Sequence, residues 1–302
     1  MNIGILYSRI RKDEKLLLSE LRERGHTVEK LDVRKLEFGV GDPPEGVADL
    51  DIVLDRCLAT SRSRYATQFV DSYGVPVVNS PDTADLCADK AKTSIALDDA
   101  GVPTPETTVA FDTDSALSAI EEFGYPCVVK PVVGSWGRLM AKLESRSAAE
   151  AVLEHKATLG HYEHKVFYVQ EYVEKPGRDI RVVAVDGEPV AAMTRSADHW
   201  LTNAAKGAQT KEFELTPEIE SLVERASDAV GGGLLGVDLM ETNAAQSAAE
   251  QSSGGEPRNP SYTVHEVNHT VEFKALNDCV DVDVPAAVVD WLEAKAETGV
   301  PA

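Results

Sequence analysis

The sequence predicts a multi-lobed α/β protein with a parallel first sheet and two α+β units after it. Apolar runs alternate with helical patterns in the first third of the chain, which is typical of a covered parallel sheet. Of the 302 residues, 43% are hydrophobic, which suits two or three small cores better than one large core. We place the three units at residues 1–86, 87–165 and 166–302.

The first unit reads as strands separated by helices. Residues 3–7 are apolar, residues 14–24 carry a helical pattern, and Gly25 ends that helix. Residues 27–31 form the second predicted strand, and two further short strands are expected at residues 52–54 and 75–78. We therefore predict a parallel sheet here.

The second unit begins with a helix near Asp89 that ends at Gly101. A second helix is expected over residues 115–123. Residues 126–131 contain a short apolar strand whose last residue before Pro131 is Lys130. A cation at a strand end is a candidate contact for an anion.

The third unit reads as a group of strands with two helices. Residues 185–188 have the composition of a hairpin turn. The predicted strands are at residues 166–172, 179–185, 189–194, 234–240 and 263–273, and the helices at residues 217–230 and 285–296. Residues 241–262 are rich in Ala, Ser, Gln, Gly and Glu, which predicts a mobile surface insertion without a catalytic role.

Charge and composition exclude several classes of protein. The net charge is −21, from 51 acidic and 30 basic residues spread along the chain, which argues against nucleic acid as a partner and favours a halophilic protein. No run approaches the roughly 20 apolar residues of a membrane helix, and the short apolar N-terminus is unlike a signal peptide. The four cysteines show no metal-binding spacing. We expect a cytoplasmic protein.

Three oxygen-bearing side chains interrupt two apolar strands. Asp238 lies in one strand, and Glu266 and Asn268 lie in another, where alternation points them to the same face. Buried ionisable groups are costly unless they are paired or bind a metal. An all-oxygen set suits magnesium. The alternative is an ordinary exposed sheet edge.

Two glycine-rich stretches need separate interpretations. Residues 133–138, directly after Lys130, have the glycines of a phosphate-covering flap, although a simple glycine hairpin is the alternative. Residues 231–236 match G-x-G-x-x-G but follow a helix and open a strand. We interpret them as a helix cap and turn, which disfavours a dinucleotide-binding oxidoreductase.

The basic residues fall into two groups. Arg181 and Arg195 lie in strands, where a buried cation needs an anion such as a phosphate. A second group is the most basic stretch of the first unit, which is either a substrate-binding segment or a solvated loop: Arg56, Arg62 and Arg64.

Taken together, four sequence blocks resemble the RimK-like ligases of the ATP-grasp superfamily, and most closely the LysX/ArgX family. This family attaches an amino acid to the carrier protein LysW. The similarity runs from Ile3 to about Val284. The blocks are Lys130-Pro131 with the glycines that follow, residues 170–181, residues 199–203 and residues 266–274.

The resemblance implies an ATP-grasp fold with ATP between the second and third units. The implied nucleotide contacts are Lys90, Lys130, Gly134, Ser135, Trp136, Gly137, Arg138, Gln170, Glu171, Tyr172, Val173, Asp179 and Arg181. Magnesium, as two ions or replaced by manganese, would be held by Asp238, Glu266 and Asn268. The implied catalytic residues are Lys130, Arg195 and Asn203.

The implied reaction phosphorylates the side chain of LysW's C-terminal glutamate and then joins it to the α-amine of L-glutamate or L-2-aminoadipate. We assign Arg56, Arg62 and Arg64 to the carboxylates of the amino acid or of the acidic carrier. Relatives imply a homotetramer or dimer. The alternatives are a RimK-like glutamate ligase acting on a ribosomal protein or small cofactor, and an ATP-binding regulator without catalysis.

Overall fold

The structure is a computed structural model that describes residues 1–134, 139–158, 165–200, 202, 208–242 and 262–298. These ranges contain three sheets. Within them, no helix combines the length and apolar character that a membrane span requires.

The first sheet is parallel, as predicted, with strand order β2-β1-β3-β4. Its strands are β1 (Asn2–Tyr7), β2 (Thr27–Asp32), β3 (Ile52–Asp55) and β4 (Val77–Val78). Its helices are α1 (Lys12–Glu23), α2 (Thr60–Ser72) and α3 (Pro81–Cys87). Ser80 caps α3 by accepting a hydrogen bond from the Thr83 N–H.

The middle sheet is antiparallel, with strand order β5-β8-β6-β7. Its strands are β5 (Thr107–Ala110), β6 (Cys127–Lys130), β7 (Ala141–Leu143) and β8 (Phe167–Glu171), and the helices of this region are α4 (Lys90–Asp99), α5 (Thr113–Phe123) and α6 (Arg146–Thr158). Our grouping of the β8 residues with the third unit is wrong. The strand pairs with β5 and β6, with Gln170 opposite Thr107 and Val128.

The third sheet has the antiparallel order β11-β10-β9-β12-β13. Its strands are β9 (Arg178–Val185), β10 (Glu188–Ser196), β11 (Gln209–Phe213), β12 (Leu234–Glu241) and β13 (Tyr262–Asn268), and its helices are α7 (Pro217–Val230), α8 (Lys274–Asn277) and α9 (Val284–Thr298). The predicted hairpin turn is confirmed, with Asp186 and Gly187 at φ of 45° and 86°. The predicted strand over 263–273 ends earlier, at Asn268.

The two faces of the third sheet differ in character. On one face, Ile180 and Val182 pack against apolar residues of α7. On the other face, Val183 and Met193 join a core with α1 and α9, whereas Asp179 and Arg181 lie further along the same side of β9. One part of this face therefore makes an apolar, buried contact with the first unit, and the rest lines a cavity.

Gly233 lies where the first unit touches the third sheet. Asn79 accepts a hydrogen bond from Leu234 N at 2.6 Å and donates to Leu234 O at 2.9 Å. Gly233 has φ +105°, and a Cβ there would lie 2.2 Å from Asn79 Oδ1. Asn79 and an alanine at 233 therefore cannot both keep their positions.

We expect Gly233→Ala to lower the free energy of unfolding by about 3 kcal/mol, from backbone strain and lost buried hydrogen bonds. Gly74→Ala is the matched control, because its φ is +77° and its Cβ would meet nothing within 4 Å. The control should lose about 1 kcal/mol. Denaturant titration of both variants checks this, and equal losses would contradict the Asn79 contact.

Candidate active site

A cavity of about 550 Å³ lies between the middle and third sheets and reaches the first unit at Leu58 and Thr60. Most of the residues selected from sequence line it. They are Lys90, Lys130, Gly134, Gln170, Glu171, Tyr172, Val173, Asp179, Arg181, Arg195, Asp238, Glu266 and Asn268. Residues 135–138 and Asn203 lie outside the described residues.

The acidic and amide side chains meet at neighbouring positions of β12 and β13. Asp238 pairs directly with Glu266, and Gly236 pairs with Asn268. The strand register shifts between Asp238 and Leu239, since Leu239 pairs with Val264. His265 is therefore the extra residue of a β-bulge. Asp238, Glu266 and Asn268 all line the cavity.

Asp238 is buried between two arginines. Arg181 forms two hydrogen bonds to its carboxylate, at 2.7 and 2.6 Å, and Arg195 Nη2 lies 3.1 Å from Asp238 Oδ1. Burial alone would raise the pKa of Asp238, but the two guanidinium groups lower it to about 2. The anion expected for these buried cations is thus a carboxylate of the protein itself.

Asp179 is the centre of a second buried cluster. It accepts hydrogen bonds from Arg195 Nε at 2.6 Å and from the Thr202 hydroxyl, and Lys175 Nζ lies 3.7 Å away. Lys175 also donates to Thr202 Oγ1 at 2.6 Å. Lys175 and Thr202 line the cavity but were not selected from sequence, although both lie inside blocks that carry the resemblance.

Two lysines face these acids across the cavity. Lys130, at the end of β6, is 7% exposed and donates to Gln170 Oε1. Burial lowers the pKa of Lys130 to about 8, although nearby Glu266 acts in the opposite direction. Lys90, the first residue of α4, donates to Gly134 O at 2.7 Å and lies 3.0 Å from Glu266 Oε1.

The residues around Glu266 fit a magnesium ion. Asn268 lines the cavity, and its buried Nδ2 has no hydrogen-bond partner among the described residues, so no protein acceptor fixes the amide group through this atom. Its Oδ1 is the atom that would bind the ion, since the amide nitrogen only donates. The described ranges contain no cluster of three or more His, Cys, Asp or Glu side chains suited to a metal. Two carboxylates and an amide are a small ligand set, which suits magnesium because it keeps waters and shares substrate phosphates.

The structure does not bring the three first-unit arginines to the cavity wall. Arg56 is fully buried, with Nη2 donating to Val271 O at 2.7 Å, so our assignment of Arg56 as a substrate-binding residue is wrong. Arg64 pairs with Asp85, whereas Arg62 is exposed. A buried guanidinium without free access cannot bind an incoming carboxylate.

The lowered pKa of Lys130 predicts an alkaline limit to ATP use. Below about pH 8 the ammonium is charged and attracts phosphate, and this attraction is lost as the pH rises through that value. We expect kcat/KM for ATP to fall above about pH 8. Lys130→Arg keeps its charge throughout, so its profile should lack this fall. The same fall in both proteins would contradict the assignment.

The parallel-sheet unit, the two α+β units and the cavity of lysines facing carboxylates fit the ATP-grasp class of ATP-dependent ligases, to which the matching family model assigns the chain. Residues 87–292 match the RimK-like ATP-grasp domain, and residues 3–86 match the LysX preATP-grasp domain. The chain therefore belongs to the RimK-like ATP-grasp family.

The relatives align along almost the whole chain. The glutamate–LysW ligase ArgX of Sulfolobus acidocaldarius is 28% identical over 97% of this chain and 98% of its own. The α-aminoadipate–LysW ligase LysX of Sulfurisphaera tokodaii is 30% identical over 91% of this chain and 92% of its own. The crystal structure of a RimK domain ATP-grasp protein from Sphaerobacter thermophilus superposes with a TM-score of 0.76 at 26% identity, covering 97% of this chain and 100% of that protein.

Proposed function

We propose that this protein joins the α-amino group of L-glutamate or L-2-aminoadipate to the side-chain carboxylate of LysW's C-terminal glutamate, in arginine or lysine biosynthesis. The observation that carries the proposal is that Asp238, Glu266 and Asn268 line the same cavity as Lys90 and Lys130. Full-length similarity to LysW ligases of both kinds supports it.

In this proposal, the residues of the cavity divide the work of binding ATP. Lys90 and Lys130 attract the phosphates, residues 170–173 surround the adenine, and Asp179 contacts the ribose. Asp238, Glu266 and Asn268 would hold one or two magnesium ions, or manganese, which neutralise the charge on the transferred phosphoryl group. Arg195 and Asn203 are assigned to the same negative charge, and Arg181 is assigned to the nucleotide.

The reaction then has two balanced steps. A carboxylate oxygen of the carrier attacks the γ-phosphorus of ATP, and ADP leaves as an acyl-phosphate forms. The amine nitrogen of the amino acid attacks the acyl carbon, loses a proton and expels phosphate to leave an amide. Because water would hydrolyse the acyl-phosphate, the cavity must exclude it.

Of the three arginines that we assign to carboxylates of the amino acid or the carrier, Arg62 is the one that is exposed and has no ion pair among the residues that the structure describes. Arg62 is exposed and lies two residues from Thr60, which lines the cavity. We propose that Arg62 contacts the acidic carrier outside the cavity. The contact is a rim charge, so its loss should slow association more than it slows the reaction.

The test is to incubate the purified protein with ATP, magnesium, a LysW-type carrier and each amino acid, and to weigh the carrier by mass spectrometry. We expect the mass of the carrier to rise by one amino-acid residue only when ATP is present. Modification of a ribosomal protein or small cofactor in place of the carrier would favour the RimK-like alternative. ATP binding without turnover on any acceptor would favour a regulator.

A further inference from the structure

A short segment follows the end of β13 that carries Glu266 and Asn268, and side chains of the first unit hold it in place. This post-strand segment, residues 269–273, connects Asn268 to α8. Four first-unit side chains hold it and the first residue of α8. Asn79 donates to His269 O at 2.6 Å, Arg56 donates to Val271 O at 2.7 Å, Arg11 binds Glu272 at 2.6 Å, and Asp13 accepts from the N–H groups of Phe273 and Lys274 at 2.6 and 2.9 Å.

Two of these side chains, Arg56 and Asp13, are completely buried, and Arg56 is the cation of the two. It is fully buried, its guanidinium lies 5.6 Å from the centre of the Phe273 ring, and its Nε lies 3.4 Å from Glu14 Oε1. Its Nε and Nη1 atoms have no hydrogen-bond partner in the described part of the chain. A buried arginine that lacks hydrogen-bond partners stabilises a fold less than an apolar side chain of similar size, because its charge has been removed from water.

Val271 and Gly236 connect Arg56 to Asn268, one of the proposed metal ligands. Val271, whose carbonyl Arg56 binds, packs over Gly236, because a Cβ on Gly236 would lie 2.5 Å from Val271 Cγ2. Gly236 is the register partner of Asn268. The position of Val271 and that of the Asn268 backbone are therefore linked through one tightly packed layer.

We propose that Arg56 is a positioning residue that fixes the post-strand segment and so holds Asn268 in place for the metal–nucleotide complex. The inference rests on the proposed function of Asp238, Glu266 and Asn268. The first unit would then shape the metal site through Arg56, without supplying one of the three proposed ligands. Mutation of groups that orient metal ligands typically weakens metal binding by roughly 10- to 100-fold.

The test measures binding of Mn²⁺ together with a non-hydrolysable ATP analogue, by electron paramagnetic resonance. We expect Arg56→Met to weaken Mn²⁺ binding roughly tenfold. Arg24→Met is the matched control. Arg24 also links the first unit to the third, through Asp290 at 2.5 Å and Glu293 at 3.0 Å on α9, but it does not touch the post-strand segment. The control should bind Mn²⁺ as the wild type does.

A double mutant separates positioning from general loosening. If Arg56 acts through Asn268, Arg56→Met should cause little further loss in an Asn268→Ala background. A full additional tenfold loss there, or unchanged binding in Arg56→Met itself, would overturn the inference. If Arg56→Met does not fold, Arg56→Gln serves instead, since its amide nitrogen ends where Arg56 Nε lies and falls short of the Nη2 position that donates to Val271 O, and wild-type binding in that variant would equally overturn the inference. Failure of the wild type to bind Mn²⁺ with the analogue would instead reject the proposed function.

Discussion

Replacing Glu266 by glutamine is expected to reduce ligation roughly 100- to 1,000-fold while the protein stays folded. Glu266 lines the cavity beside Asp238, its partner in the strand register, and its Oε1 lies 3.0 Å from Lys90 Nζ. The glutamine keeps the size of the side chain and removes the negative charge that a magnesium ion requires. Because its pair with Lys90 is partly exposed, the free energy of unfolding should change by less than about 1 kcal/mol.

Glu212→Gln is the control for this substitution. Glu212 lies in β11 of the same sheet, is exposed and is not among the residues that line the cavity. Its variant should retain wild-type turnover in the carrier-mass assay. Unchanged turnover in Glu266→Gln would remove Glu266 from the metal site, whatever the control does.

Replacing Lys130 by methionine should have opposite effects on activity and stability. The pKa of Lys130 falls from 10.5 to about 8 on folding, so keeping this ammonium charged at pH 7 costs the folded state about 3 kcal/mol. The cost is full below about pH 8 and disappears as the pH rises to 10.5. At pH 7, Lys130→Met should therefore unfold at an equal or higher denaturant concentration, while kcat/KM for ATP falls roughly 100-fold.

Lys156 provides a matched control in the same unit. It is also 7% exposed, burial also lowers its pKa, and it lies on α6 rather than along the cavity. Lys156→Met should gain stability and keep full activity. A Lys130→Met protein that is less stable but fully active would show that Lys130 has a structural role only.

Much of the fold follows from local patterns in the sequence. The helices α1, α4, α5, α7 and α9 and the strands β9, β10 and β12 carry clear periodicity or capping residues, such as Asp89 and Gly231. The sheet to which β8 belongs cannot be read from sequence, because a continuous apolar run shows that a strand is buried but not which neighbour it pairs with. The short edge strands β7 and β11 carry too few buried residues to be recognised.

The candidate site was predictable where residue type and strand alternation agree. Glu266 and Asn268 alternate with buried valines, and Asp238 interrupts an apolar strand, so their shared face could be inferred. Arg56 could not be interpreted in this way. Its neighbours in sequence look like a solvated basic loop, and only the packing of α1 and the post-strand segment around it buries the side chain.

The proposed metal site can be tested with a crystal structure that contains Mn²⁺ and a non-hydrolysable ATP analogue, in which anomalous scattering locates the ion. We expect a peak roughly 2.1 Å from side-chain oxygens of Asp238, Glu266 or Asn268, with Lys130 Nζ pointing to the phosphates. A peak bound by none of these three residues, or a Lys130 side chain turned out of the cavity, would contradict it.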